Sequence, residues 1–152
     1  MTKPVAAIRT VQDIPPSLDR RLTEAYLRTT YRVWQPPAEI RVGQLCPAMD
    51  VLLAEHRAET WTFVTAWNPG SRVLPADENA QRQAELVRIV ESARWSYIYG
   101  VGIGEDATWP PEESLLVLGI SAAEAVALGR RFGQNALVFG RKNEVPELWW
   151  LV

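Results

Sequence analysis

Two stretches of this chain are apolar on both faces when laid out as strands. Trp61–Trp67 (WTFVTAW) turns Trp, Phe, Thr and Trp to one side and Thr, Val and Ala to the other, and Leu115–Ile120 (LLVLGI) is apolar without interruption. A strand of this kind is central and needs cover above and below. Amphipathic helices must therefore flank a sheet, and the remaining sequence supplies them.

Ser17 caps a helix ending near Thr29, with Leu18, Leu22, Ala25 and Tyr26 on one apolar stripe. Thr30–Trp34 and Glu39–Val42 read as a strand pair around Gln35-Pro36-Pro37. Residues 46–58 form a helix with Pro47 in its first turn and Met49, Leu52, Leu53 and His56 at helical spacing. After the turn Asn68-Pro69-Gly70-Ser71, a helix opens at Ala76 or Asp77 and runs to about Ala93, followed by a strand over Ser96–Val101. Ser121 and Glu124 make a capping box for a helix that stops at Gly133, and Ala136–Phe139 and Leu148–Val152 are the last strands. Strands and helices alternate from residue 61, which predicts an α/β or α+β class with a mixed β-sheet flanked by helices. At 152 residues without an internal linker, the expected organisation is an extended N-terminal arm (1–16) and a single domain (17–152).

Composition narrows the chemistry. Cys46 and His56 are the sole residues of their types, too few for a Cys/His zinc site or an intrachain disulfide. Both lie on one helix, about ten residues apart, which argues against a Cys/His dyad. A net charge of −2 argues against nucleic acid, although Arg130, Arg131, Arg141 and Lys142 lie close together and Trp109 or Trp149 offers a stacking surface. No apolar run reaches the roughly 18 residues of a membrane span. The chain reads as a soluble, cytoplasmic protein with no cofactor indicated. Catalysis, if any, falls to carboxylate, amide and guanidinium groups.

Those groups concentrate in two places. On a wheel of residues 79–93, Asn79, Arg82, Leu86, Ile89, Val90 and Ala93 share a stripe, so Arg82 points inward near a helix start, beside the loop Asn68–Arg72. An inward guanidinium wants an anion. Glu112 or Glu113 is one candidate, and a phosphate or carboxylate ligand in a crevice at the strand end is the other. In Trp109-Pro110-Pro111-Glu112-Glu113-Ser114, strand alternation sends Glu112 and Ser114 to one face and Glu113 to the opposite one. Either carboxylate is a salt-bridge partner, a general base, or a metal ligand together with Glu105 or Asp106. Gly100-Val101-Gly102-Ile103-Gly104 has the wrong spacing for a dinucleotide loop and reads as a strand end lining a cleft.

The segments TAWNPGS (65–71), ENAQRQAEL (78–86), EESLLVLGIS (112–121) and ALGRRFGQNALVFG (127–140) resemble a family of small bacterial domains of unknown function. In that family an Asn-Pro loop, an E-N-x-x-R helix start, an acidic pair with Ser before a strand, and a Gly-Gln turn follow in this order. The resemblance covers about residues 24–152 and departs at Gln83, where such helices often carry Asn. It implies that Asn68, Asn79, Arg82, Glu113, Ser114 and Gln134 form one polar constellation, and it assigns no activity.

Two functional expectations follow. The first is a small-molecule site near the Asn-Pro loop, with Asn68, Ser71, Asn79, Arg82, Ser114 and Gln134 binding an anionic ligand and Glu112 or Glu113 catalytic, without a metal. The alternative is an interaction or accessory module, a homodimer for example, using Leu148-Trp149-Trp150-Leu151-Val152, where adjacent Trp side chains face opposite ways and one is expected outward.

Overall fold

The computed structural model describes residues 18–106 and 108–152. The expected arm and Ser17 lie outside the described residues. The first helix, α1 (Arg20–Arg28), is capped by Asp19, whose carboxylate accepts from the Leu22 N–H at 2.8 Å. A hairpin follows, β1 (Thr30–Trp34) and β2 (Pro37–Ile40), with Tyr31 opposite Ile40. Helix α2 (Pro47–Glu55) buries Met49, Leu52 and Leu53, while His56 is exposed at its C-terminal end.

The rest of the chain alternates: β3 (Thr60–Val64), α3 (Ala76–Ser92), β4 (Ser96–Ile103), β5 (Glu112–Leu118), α4 (Ala122–Arg131), β6 (Ala136–Arg141) and β7 (Glu147–Trp150). Ser121 and Glu124 form the expected capping box on α4. Strand β5 starts earlier than the apolar run suggests, so Glu112, Glu113 and Ser114 are strand residues paired with Gly102, Val101 and Gly100 of β4.

The seven strands form one sheet in the order β2-β1-β4-β5-β3-β6-β7. Every neighbouring pair is antiparallel, so the class is α+β and the expected mixed sheet is corrected. The reason lies in the crossovers. Helix α3 joins β3 to β4, but β5 inserts between them, and α4 joins β5 to β6 with β3 between. Segment β3-α3-β4-β5-α4-β6 is thus a split β-α-β-β-α-β unit. Strand β7 extends it on one side and the β1–β2 hairpin on the other.

Both faces of the sheet are covered, as the doubly apolar strands require. One core joins Trp61, Phe63, Leu116, Val138, Leu148 and Trp150 to Met49, Leu52 and Leu53 of α2, with Tyr26 of α1 at its margin. The other packs Val64, Leu115, Val117, Phe139 and Trp149 against Leu86 and Val90 of α3 and Ala125, Val126 and Leu128 of α4. Trp149 and Trp150 face opposite ways, yet both are buried, Trp149 stacked on Phe139 at 4.2 Å and Trp150 edge-on to Tyr26 at 5.5 Å. Neither Trp is outward, so the C-terminal strand presents no exposed indole for a partner.

Candidate functional site

A cleft of about 420 Å³ lies between α1 and the sheet face beneath it. Leu22, Ala25 and Tyr26 of α1 form its roof, and Tyr31, Phe63, Val138 and Leu148 its apolar floor. Its polar end is built from Thr65, Asn68, Ser71, Trp109, Glu112, Ser114 and Gln134. Gly102 and Gly104 also line it, and the Gly102 opposite Glu112 leaves space where a side chain would stand.

The loop after β3 sets this polar end. Asn68 adopts left-handed backbone angles (φ 46°, ψ 61°), a region that Asn tolerates better than most residues. Its side chain makes three hydrogen bonds: Oδ1 accepts from the Leu74 N–H at 2.9 Å and from Asn79 Nδ2 at 2.8 Å, and Nδ2 donates to Glu112 Oε1 at 3.0 Å. Asn79 in turn accepts from the Asn68 N–H at 2.9 Å and donates to the Leu74 carbonyl at 3.3 Å. On the far side of the loop, Gly133 (φ 67°) ends α4, and its carbonyl accepts from the Gly70 N–H at 2.8 Å. A Cβ on Gly133 would sit 3.0 Å from the Pro69 Cβ, so glycine permits this approach. Ser71 Oγ lies 2.9 Å from the Tyr26 hydroxyl and accepts from Asn135 Nδ2 at 3.0 Å, which ties α1 to the loop.

Glu112 Oε1 receives a second donor, the Trp109 indole N–H, at 3.2 Å. Burial pushes the Glu112 carboxyl above the usual carboxylate range, and the Asn68 and Trp109 hydrogen bonds draw it partly back. Burial also raises the Tyr26 phenol, opposed by Ser71 and reinforced by the nearby Glu112 charge. Tyr31 is raised too, again chiefly by burial.

A carboxyl that holds its proton more tightly folded than unfolded contributes stability at low pH and loses it as pH rises. That contribution is complete below the ordinary value of 4.5 and disappears as pH passes the higher folded value. Glu112→Gln keeps an acceptor for Asn68 and Trp109 and buries no charge. It is expected to be at least as stable as the wild type near neutral pH, with the difference shrinking toward about pH 4 in urea titrations. A variant clearly less stable than the wild type at neutral pH would contradict this account of the carboxylate.

The expected site residues divide. Asn68, Ser71, Glu112, Ser114 and Gln134 line the cleft, with Gln134 Nε2 donating to the Trp67 carbonyl at 2.9 Å and Ser114 Oγ to the Glu112 carbonyl at 3.0 Å. Asn79 stands behind Asn68, out of the cleft. Arg82 pairs with neither Glu112 nor Glu113: its Nε donates to the Ala66 carbonyl at 2.8 Å, and Nη2 donates to the Phe132 carbonyl. Two of its N–H groups are thus spent on backbone carbonyls, and Arg82 does not line the cleft. Glu113 is exposed on the opposite face, so it does not join the constellation. Cys46 and His56 sit at opposite ends of α2, away from the cleft. Among the described residues no group of three or more His, Cys, Asp or Glu is placed to hold a metal ion, including Glu112 with Glu105 and Asp106. Trp149, a candidate for base stacking, is buried.

Sequence alone does not mark Tyr26, Tyr31 and Phe63 as cleft residues. In the sequence Tyr26 stands out only as part of an apolar stripe, Tyr31 as a strand residue and Phe63 as core. Tyr26 alone carried a signal, as the one member of that stripe with a polar tip.

Residues 64–137 match DUF3293, a family described as protein of unknown function. The match agrees with the expected kind of family and is shorter than the expected 24–152. It runs from the last residue of β3 into β6. The DUF3293 stretch therefore carries Asn68, Ser71, Trp109, Glu112, Ser114 and Gln134, while Tyr26 and Tyr31 come from α1 and β1 outside it. No curated protein and no solved structure matches the chain. Among the described residues no helix is long and apolar enough to cross a membrane.

Proposed function

We propose that the chain binds a small molecule in the cleft beneath α1, its apolar body on Tyr31, Phe63, Val138 and Leu148 and its polar end at Asn68, Ser71 and Glu112. The observation that carries this reading is the cleft itself: about 420 Å³, mostly apolar, with a few convergent polar groups at one end. That volume falls within the range of roughly 300–1,000 Å³ common for ligand sites. The polar groups are held by bonds to their neighbours, so little ordering remains to be done on binding.

The test uses a neutral probe, 2-phenylethanol, and saturation-transfer NMR. The wild type is expected to bind it with a Kd on the order of 1 mM, as befits a fragment. Ala25→Trp, a substitution at an exposed roof residue, is expected to fill the cleft and abolish the signal while circular dichroism stays unchanged. No signal with the wild type, or an equal signal in a folded Ala25→Trp protein, would remove the proposal.

A further inference from the structure

We infer that the cleft selects a cationic head group, an alkylammonium or arylalkylammonium, seated on Glu112. The inference rests on the binding reading above and reverses the charge that the sequence suggested. Glu112 is a part-buried carboxylate, and the two hydrogen bonds it receives, from Asn68 Nδ2 at 3.0 Å and Trp109 Nε1 at 3.2 Å, both end on Oε1. Neither uses Oε2. These donors orient the group without neutralising it, since an amide and an indole are both uncharged.

The charges around the cleft have the same sense. Four carboxylates line it, Glu24, Glu105, Asp106 and Glu112, against two guanidinium groups, Arg21 and Arg28. Arg28 lies 4.0 Å from Glu105, and both are on the exposed rim. An anionic ligand would meet Glu112 at the polar end, where among the described residues no Lys or Arg pairs with it. An ammonium ion would gain a charge-assisted hydrogen bond there.

The walls add a second reason. Tyr26, Tyr31, Phe63 and Trp109 all border the cleft, and aromatic faces attract ammonium groups while repelling carboxylates. A purely structural acceptor for Asn68 and Trp109 would need no charge, because glutamine offers the same oxygen. A carboxylate at this position makes sense when a counter-ion arrives with the ligand.

The experiment compares three probes with one ring and different heads: 2-phenylethylamine, 2-phenylethanol and 3-phenylpropanoate, titrated at neutral pH. The amine is expected to bind at least about tenfold more tightly than the alcohol, and the carboxylate more weakly than either. In Glu112→Gln the amine and the alcohol, both measured on that variant, are expected to bind equally. The probe comparison on the wild type decides the question even where the variant folds poorly. Alcohol binding as tight as amine binding, or amine preference surviving in Glu112→Gln, overturns the inference and leaves the cleft reading standing. Failure of all three probes overturns both.

Discussion

Arg82→Ala is expected to destabilise the protein by about 3 kcal/mol, read as a lower urea midpoint by tryptophan fluorescence. The guanidinium joins two segments remote in sequence. Nε donates to the Ala66 carbonyl just past β3, and Nη2 donates to the Phe132 carbonyl at the end of α4. Its charged carbon also lies 5.9 Å from the Phe132 ring centre. A carbonyl at a helix C-terminus carries the negative end of the helix dipole, so a cation there is favoured. Truncation removes two charge-assisted hydrogen bonds and leaves the Ala66 carbonyl without its donor. Arg82→Lys is expected to recover less than half of the loss, because a single ammonium lacks the planar fork that reaches both carbonyls. A loss below about 0.5 kcal/mol in Arg82→Ala would show the clamp to be idle.

Arg82 also marks where sequence reasoning reaches its limit. Helical spacing with Leu86 and Val90 was enough to say that the side chain points inward. Its partners are not legible there, because backbone carbonyls have no signature among side chains, whereas acidic residues do. Strand alternation correctly separated Glu112 and Ser114 from Glu113, whereas the resemblance grouped Glu113 with the site. The same alternation set Trp149 and Trp150 on opposite faces. It did not reveal that both are covered, since that depends on which strands and helices stand beside β7. Sheet direction was hidden for a related reason: β3-α3-β4 looks like a parallel crossover until β5 is found between the two strands. In the sequence Gln83 stands out only as a departure from a motif. It is buried, and its Oε1 accepts from the Ala66 N–H at 3.1 Å, next to the carbonyl held by Arg82. The cleft was the least legible feature, because its roof and its polar end come from segments more than forty residues apart, as the Tyr26–Ser71 contact illustrates.

Asn79→Ala is expected to cost about 3 kcal/mol and to loosen the cleft at a distance, although Asn79 does not line it. Asn79 is 2% exposed and makes three hydrogen bonds, accepting from the Asn68 N–H and donating to Asn68 Oδ1 and the Leu74 carbonyl. Without it a buried backbone N–H loses its acceptor, which is the expensive way to lose a hydrogen bond. The left-handed Asn68 then keeps the Leu74 N–H as the remaining donor to its Oδ1. Its Nδ2 is no longer aimed firmly at Glu112. Asn79→Asp separates the contributions: the acceptor for the Asn68 N–H survives, but both donors vanish and a carboxylate faces Asn68 Oδ1. It is therefore expected to be destabilised to a similar degree at neutral pH, and less so in acid, where a protonated carboxyl can donate again. Chemical denaturation of both variants at about pH 4 and about pH 7 provides the check. A loss below about 1 kcal/mol in Asn79→Ala would mean that the loop holds its own conformation and that Asn68 reaches Glu112 without help from Asn79.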